Sequence, residues 1–312
     1  MPKFSVIIPL YNKENYIQAT LQSVLRQDFE DFEVLIIDDC GTDNSVEKAK
    51  EIQDSRIRHI AHEKNKGLSA SRNTGIQHAK AHYLAFLDAD DQWKPQFLSE
   101  IDALIAQYGK EAALFATKYE VRFQDGKTTV YPFPNIPFEG RGLIEDFFSV
   151  NLGYNFYCPS SLCASKAVFD TIGGYDETIQ YSEDVDFNIR AHLVFKMAFS
   201  NQALVTYNAE SENQITQGAI KNKRIPDYDS FERQDPNHES LKKYLDFQRY
   251  LKAKLFKMEG DLSEYKKLRK GINKKNLNWK QNLLISLPGW CLRSIVRLKH
   301  LLLKKGVNVN SY

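Results

Sequence analysis

Apolar and polar positions fall into alternating blocks along the first hundred residues. Phe4 to Leu10 (FSVIIPL) is a short, nearly unbroken apolar run, as in a strand buried on both faces. Ile17, Leu21, Val24 and Leu25 then recur at i, i+4, i+7 and i+8, which predicts one face of a helix. Phe32 to Ile37 (FEVLII) predicts a second buried strand that ends at Asp38-Asp39. Cys40-Gly41-Thr42-Asp43 is a turn, with Asp43 or Asn44 placed to cap the next helix. A third strand follows at Arg56 to Ile60, a helix at Ala70 to Ala81, and a fourth strand at Tyr83 to Leu87 (YLAFL), which stops at Asp88. Phe97, Ile101, Leu104 and Ile105 mark another helix. Strands alternating with helices predict an α/β fold with a parallel sheet covered by helices. Ligands of such sheets bind beyond the carboxyl ends of the strands. The polar clusters fall at those ends: Pro9-Leu10-Tyr11-Asn12, Asp38-Asp39 and Asp88-Ala89-Asp90-Asp91.

The second half is less periodic. Ala113 to Val130 again suits strands, and the Pro- and Gly-rich stretch from Tyr131 to Gly142 suits a loop. Ser165 is placed to cap a short helix ending near Gly173-Gly174, and Ser182 another from Glu183 to about Val194. Lys221 to Asn237 is charged and holds two prolines, like an exposed connector. Leu241, Leu245, Gln248, Leu251 and Leu255 predict a long helix. These changes divide the chain into an α/β domain over residues 1–215 and a connector with a basic, mostly helical extension over 216–312.

Composition adds one asymmetry. Hydrophobic residues at 42% and charged residues at 26% suit a packed globular core. The net charge of +2 conceals twelve Lys and Arg and no Asp or Glu from Tyr265 to Tyr312, so the rest of the chain carries a net −10. A basic tail on an acidic body points to a polyanion or an anionic membrane as its partner. From Trp279 to Lys305, Leu292, Ile295, Val296, Leu302 and Leu303 fall on one helical face. Arg293, Arg297, His300 and Lys304 fall on another, and Pro288-Gly289 should break the helix beside Trp290. This predicts an amphipathic helix on the inner face of a membrane, the plain alternative being packing on the catalytic domain or a second subunit. Cys40, Cys158, Cys163 and Cys291 are scattered without a CxxC pair, which favours reduced thiols in a cytosolic protein over a zinc site or disulfides. Neither a signal peptide nor an 18-residue apolar span is visible, so a cytoplasmic protein is expected.

The chemistry resides in carboxylates. Three within four residues after a buried strand are costly unless something positive joins them. A hard divalent cation bound to a diphosphate fits, since Mg²⁺ and Mn²⁺ prefer oxygen and often take only one or two carboxylates. The plain alternative is a solvated, helix-capping acidic turn. A carboxylate of Asp38-Asp39 could accept from a base N–H or a ribose hydroxyl, or form a common turn. Arg72, in Ser71-Arg72-Asn73, could reach a phosphate or a base, or lie in an ordinary surface ion pair. Ser182-Glu183-Asp184-Val185-Asp186 is a general-base candidate or simple helix capping.

Taken together, the chain resembles the inverting glycosyltransferase family 2, with its GT-A fold. The resemblance rests on Val6-Ile7-Ile8-Pro9-Leu10-Tyr11-Asn12, Ser23 to Gln27, Asp38 to Asp43, Asn65-Lys66-Gly67, Ser71 to Ile76, Phe86 to Trp93 and Glu183-Asp184, in order over about the first 200 residues. It implies that Pro9, Tyr11 and Asp39 line a nucleobase pocket, usually for uridine, and that Arg72 lies near the nucleotide. It implies further that Asp88 approaches the ribose or metal and that Asp90 holds Mn²⁺ or Mg²⁺ through the diphosphate. Asp184 would be the catalytic base, with Glu183 supporting the acceptor side. Cys40-Gly41 departs from the usual Gly-Ser or Asn-Ser, and the QxxRW signature of processive synthases is absent. The expected activity is inverting transfer of a single sugar from a UDP-sugar to a hydroxyl of a glycan or lipid-linked acceptor, in bacterial surface polysaccharide assembly. The acceptor is expected near Tyr131 to Gly142 and Tyr154 to Ser161. A homo-oligomer is admitted as a partner; nucleic acid is not expected. A nucleotidyltransferase would show a Gly-rich loop after the first strand, and a dinucleotide oxidoreductase a GxGxxG. The alternative from another class is a non-catalytic sugar- or lipid-binding protein that retains the fold.

Overall fold

A computed structural model of the chain describes all residues except Tyr154, Asn213, 215–217 and 305–312, and describes 299–304 by their helical backbone alone. Tyr154, Lys305 and the domain boundary expected at 215/216 lie outside the described residues, as do the side chains of His300, Leu302, Leu303 and Lys304. The chain forms two compact units: Met1–Phe147, Tyr154–Gln217 and Arg224–Pro226 make the first, and Phe148–Gly153, Gly218–Lys223 and Asp227–Tyr312 the second.

The first unit runs β1 (Phe4–Leu10), α1 (Ile17–Leu25), β2 (Phe32–Asp38), α2 (Ser45–Lys50), β3 (Ile57–Ala61), α3 (Leu68–His78), β4 (Tyr83–Phe86), β5 (Gln92–Trp93) and α4 (Phe97–Tyr108). It continues with β6 (Ala112–Arg122), β7 (Thr128–Thr129) and β8 (Arg141–Ile144), and a single turn, α5 (Phe147–Val150), where the chain passes from one unit to the other. Then come β9 (Leu162–Ser165), α6 (Lys166–Ile172), α7 (Glu183–His192) and β10 (Lys196–Asn208). The sheet order is β3-β2-β1-β4-β9-β6-β10-β5, with β7 on β6 and β8 on β10.

The first four strands are parallel, as the alternation predicts. The wholly parallel sheet is corrected beyond them: β9 runs antiparallel between β4 and β6, and β5 and β8 pair antiparallel with β10. All seven residues of β1 are buried. Phe4, Val6 and Ile8 join a core with Ile17, Leu21 and Val24 of α1 and Ile101 and Leu104 of α4. Ile7, on the other face, meets α3 at Gly75, where a Cβ would lie 2.3 Å from Ile7 Cγ2. A glycine there lets the helix lie directly on the strand.

Local signals mark starts better than caps. Asp43 Oδ1 accepts from the Ser45 amide at 3.0 Å and so ties down the start of α2. Ser165 and Ser182 precede α6 and α7 but make no capping bond, and Ser182 is left-handed at φ 66°. The Pro- and Gly-rich stretch ends inside β8 rather than in a loop.

The second unit is helical: α8 (Tyr228–Gln234), α9 (Glu239–Met258), α10 (Leu262–Gly271), α11 (Trp279–Ser286) and α12 (Gly289–Lys304). The others pack on α9. The connector expected at 221–237 contains α8, because Tyr228 and Phe231, at i and i+3 among charges, are buried. Arg249, fully buried on α9, donates to Asp246, Asp229 and Glu232 at 2.9, 2.8 and 2.6 Å. Among the described residues no helix is long and apolar enough to cross a membrane.

Candidate active site

The site begins where β4 ends. Leu87 still donates to Ile7 O, and the chain then folds back so that the Asp91 amide donates to Asp88 O at 3.0 Å. Thr20 of α1 grips this turn through the carbonyls of Ala89 and Asp91, at 2.9 and 2.8 Å. Asp91 points inward and is fully buried. It accepts from Ser160 Oγ at 2.5 Å and from the Asn208 amide, at the end of β10, at 2.9 Å. Burial, with Asp90 and Asp88 alongside, pushes its carboxyl well above the usual range. Asp91 thus anchors the turn, and the neighbouring carboxylates are left for other work.

Asp90 is nearly buried, and its side-chain partners among the described residues, Lys13 Nζ at 2.7 Å and Ser211 Oγ, both lie on Oδ2. Lys13 also donates to Glu212 O at 2.6 Å. Among the described residues no side chain is placed on Oδ1, which leaves that oxygen as the one that could meet a cation. Among the described residues no three His, Cys, Asp or Glu side chains group around a metal. One carboxylate oxygen fits a Mg²⁺ or Mn²⁺ ion that draws its other ligands from a diphosphate and water.

Arg72 of α3 joins the two acidic clusters. It is only 1% exposed. Its Nη2 donates to Asp88 Oδ1 at 2.9 Å and its Nη1 to Glu183 Oε1 at 3.0 Å, while the Tyr175 ring lies 5.1 Å from its guanidinium carbon. Burial works against its charge, but Asp88, Tyr175 and Glu183 outweigh it and hold the pKa above the ordinary value. Glu183 titrates high as well: burial and the adjacent Asp184 raise its carboxyl more than Arg72 lowers it. Asp184 is half-exposed at the start of α7, and its carboxylate has no hydrogen-bond partner among the described residues. A free carboxylate beside a fixed, crowded one is suited to taking a proton.

Asp39 is buried and already occupied. Its Oδ1 meets His62 Nδ1 at 2.7 Å and accepts from the Lys66 amide at 2.8 Å, and its Oδ2 accepts from the Gly67 amide at 2.8 Å. His62 Nε2 meets Thr74 Oγ1 at 2.8 Å, so Asp39 pins the β3–α3 loop onto α3. Gly67, at φ 90°, has the left-handed backbone that this approach needs. Pro9 is buried in β1, and Tyr11, just beyond that strand, is exposed.

The structure thus places Asp88, Glu183 and Arg72 in direct contact, with Asp184 next in chain, and holds Asp90 in the same turn as Asp88. Sequence reasoning missed Lys13, Ser160, Asn208 and Ser211 around the acidic turn and His62 beneath Asp39. Ser160 and Asn208 lie 69 and 117 residues from Asp91, so no local spacing announces them. Lys13, two residues beyond Tyr11, carried the one available signal: a cation in the same strand-end cluster.

Comparison with known proteins shows the family and the fold. The family model described as Glycosyl transferase family 2 matches residues 5–170. WfgD of Escherichia coli, a UDP-Glc:alpha-D-GlcNAc-diphosphoundecaprenol beta-1,3-glucosyltransferase, is 43% identical over 89 residues, covering 28% of this chain and 35% of WfgD. WfaP of Escherichia coli, of the same description, is 27% identical over 201 residues, covering 63% and 72%. The chain spans half or less of the length of several curated relatives. The crystal structure of S. aureus TarS 1-349 with UDP-GlcNAc has the same fold, with a TM-score of 0.59 and 18% identity over 91% of this chain and 78% of that one.

Proposed function

The chain belongs to glycosyl transferase family 2, and on that premise we propose that it transfers one sugar, with inversion, from a UDP-sugar to a hydroxyl of a glycan or lipid-linked acceptor in bacterial surface polysaccharide assembly. One observation supports the reading: Arg72 ties the strand-end Asp88 to Glu183, and Asp184 is the next residue in the chain. The donor's base and ribose lie over Pro9, Tyr11 and the loop that Asp39 holds. Asp39 acts there by fixing the loop, since its oxygens are engaged.

Asp90 Oδ1, with Asp88 beside it, would hold a divalent ion, Mn²⁺ or Mg²⁺. Such an ion, when bound, stabilises charge on the departing diphosphate as a Lewis acid. Arg72 keeps Asp88 in position and, being buried, works through the carboxylates rather than by touching the nucleotide. Asp184 accepts the proton of the attacking hydroxyl, a step worth about 10²–10⁴ in rate. Glu183, bound to Arg72, fixes the start of α7 and with it the direction of Asp184. Attack from the side opposite the diphosphate inverts the anomeric centre and needs no covalent intermediate.

WfgD and WfaP are named for UDP-Glc and a diphosphoundecaprenol acceptor, and TarS was crystallised with UDP-GlcNAc, which supports a uridine donor here. The test is UDP release from a panel of UDP-sugars by the full chain, with Mn²⁺ and with chelator. Thermal shifts across the panel identify the sugar, because a ligand of the native state alone raises apparent stability. Mn²⁺-dependent release from at least one donor is expected. A chain that neither binds nor cleaves any nucleotide sugar is a non-catalytic protein that kept the fold, and the proposal fails.

A further inference from the structure

The last two helices carry an apolar surface that their own unit does not cover. On α11 the buried positions are Gln281 and Ile285. Trp279 and Leu283, at i and i+4 on the opposite side, are exposed, Trp279 to 72%. On α12 Leu292 is buried, yet Ile295 and Val296, which continue its face at i+3 and i+4, are exposed. Every residue from Arg293 to Leu298 is exposed, and Trp290, at the start of the helix, is 65% exposed. Two tryptophans, three branched aliphatics and Leu283 left in water on about twenty residues is unusual for a monomeric surface. Lys280, Arg293 and Arg297 stand among them, in a segment with no Asp or Glu after Glu264.

We propose that α11 and α12 dock on an anionic lipid surface, lying in the interface with Trp279, Trp290, Leu283 and Leu298 at the boundary of headgroups and acyl chains and the cations at the headgroups. The chemistry favours lipid over a second copy. An isologous contact would bring together two copies of residues 279–304, each with five Lys and Arg and no Asp or Glu to neutralise them. Protein interfaces deplete lysine at their cores. Indole rings, by contrast, settle at the membrane–water boundary, and each basic residue near an anionic leaflet adds to binding. The proposal does not depend on which sugar is transferred, or on whether any is.

The test is co-sedimentation of the full chain with vesicles of phosphatidylcholine, with and without phosphatidylglycerol. Binding to the anionic vesicles, weakened by salt, is expected. Two full-length variants follow, W279S/L283S/W290S/L298S and K280E/R297E. Each is expected to lose about tenfold or more in partitioning, while UDP affinity and far-ultraviolet circular dichroism stay at wild-type values. If a variant does not fold, the wild type still decides. Brominated lipid should quench fluorescence from Trp279 and Trp290, leaving that of the buried Trp93. The proposal is overturned by absence of binding, by equal binding to neutral vesicles, by absence of quenching, or by folded variants that bind like wild type. A lipid-free dimer that the apolar variant dissociates would assign the surface to a second copy and also overturn it.

Discussion

Replacing Arg72 with Met removes the one cation between Asp88 and Glu183 while roughly keeping the side chain's length. The wild-type guanidinium makes two charge-assisted hydrogen bonds, each of a kind worth about 1.5–3 kcal/mol. Removing one partner of a buried pair costs about 3–5 kcal/mol, because the remaining charge is left uncompensated. That is a large fraction of a typical stability of about 5–15 kcal/mol. The loss carries a sign in pH. Glu183 already titrates above its ordinary 4.5, through burial and Asp184, so its contribution to stability is present below that value and is lost as pH rises through the folded-state value. Without Arg72 the folded-state value rises further. Glu183's share of the added loss is therefore small below its ordinary 4.5 and grows as pH rises through the folded-state values. Denaturant unfolding of both proteins across this range, by circular dichroism, measures it. A difference below about 1 kcal/mol at neutral pH, or one that does not grow with pH, would show that Arg72 does not hold the two carboxylates together.

Three further outcomes follow from the same geometry. Asp184→Asn is expected to keep UDP affinity by calorimetry and to lose about 10²–10⁴ in transfer rate; near-normal turnover would remove Asp184 as the base. Asp39→Asn replaces an acceptor oxygen by an amide that faces a backbone or imidazole N–H, and should cost about 1–3 kcal/mol and weaken UDP binding. Unchanged unfolding and affinity would show that Asp39 does not organise the loop. Gly75→Ala puts a methyl 2.3 Å from Ile7 Cγ2, for which about 1–3 kcal/mol of destabilisation is expected; a neutral result in denaturant titration would mean that α3 does not rest on β1 as closely as described.

Much of the strand-end half of the site is legible because its parts are local. Each of β1, β2 and β4 is an apolar run ended by a polar cluster, and strand direction alone sends those clusters to one edge. The closing side was not legible, because it depends on pairing. The antiparallel β9 places Ser160 under Asp88 and Asp91, and β10 delivers Asn208. Neither register can be read from a short window. The residue type leaves Arg72 open between a ligand contact and a surface ion pair, and its burial comes from Tyr175 and Glu183, about a hundred residues on. α8 was hidden for a related reason, its two buried aromatics being outnumbered by charges.

If the acidic turn after β4 receives the metal-bound diphosphate of a nucleotide sugar, calorimetric titration of UDP into wild type and Asp90→Ala, each with and without Mn²⁺, will show it. Mn²⁺ is expected to strengthen UDP binding to wild type and to do nothing for the variant, whose unfolding transition stays cooperative. A variant that keeps the full Mn²⁺-dependent gain in affinity would contradict it.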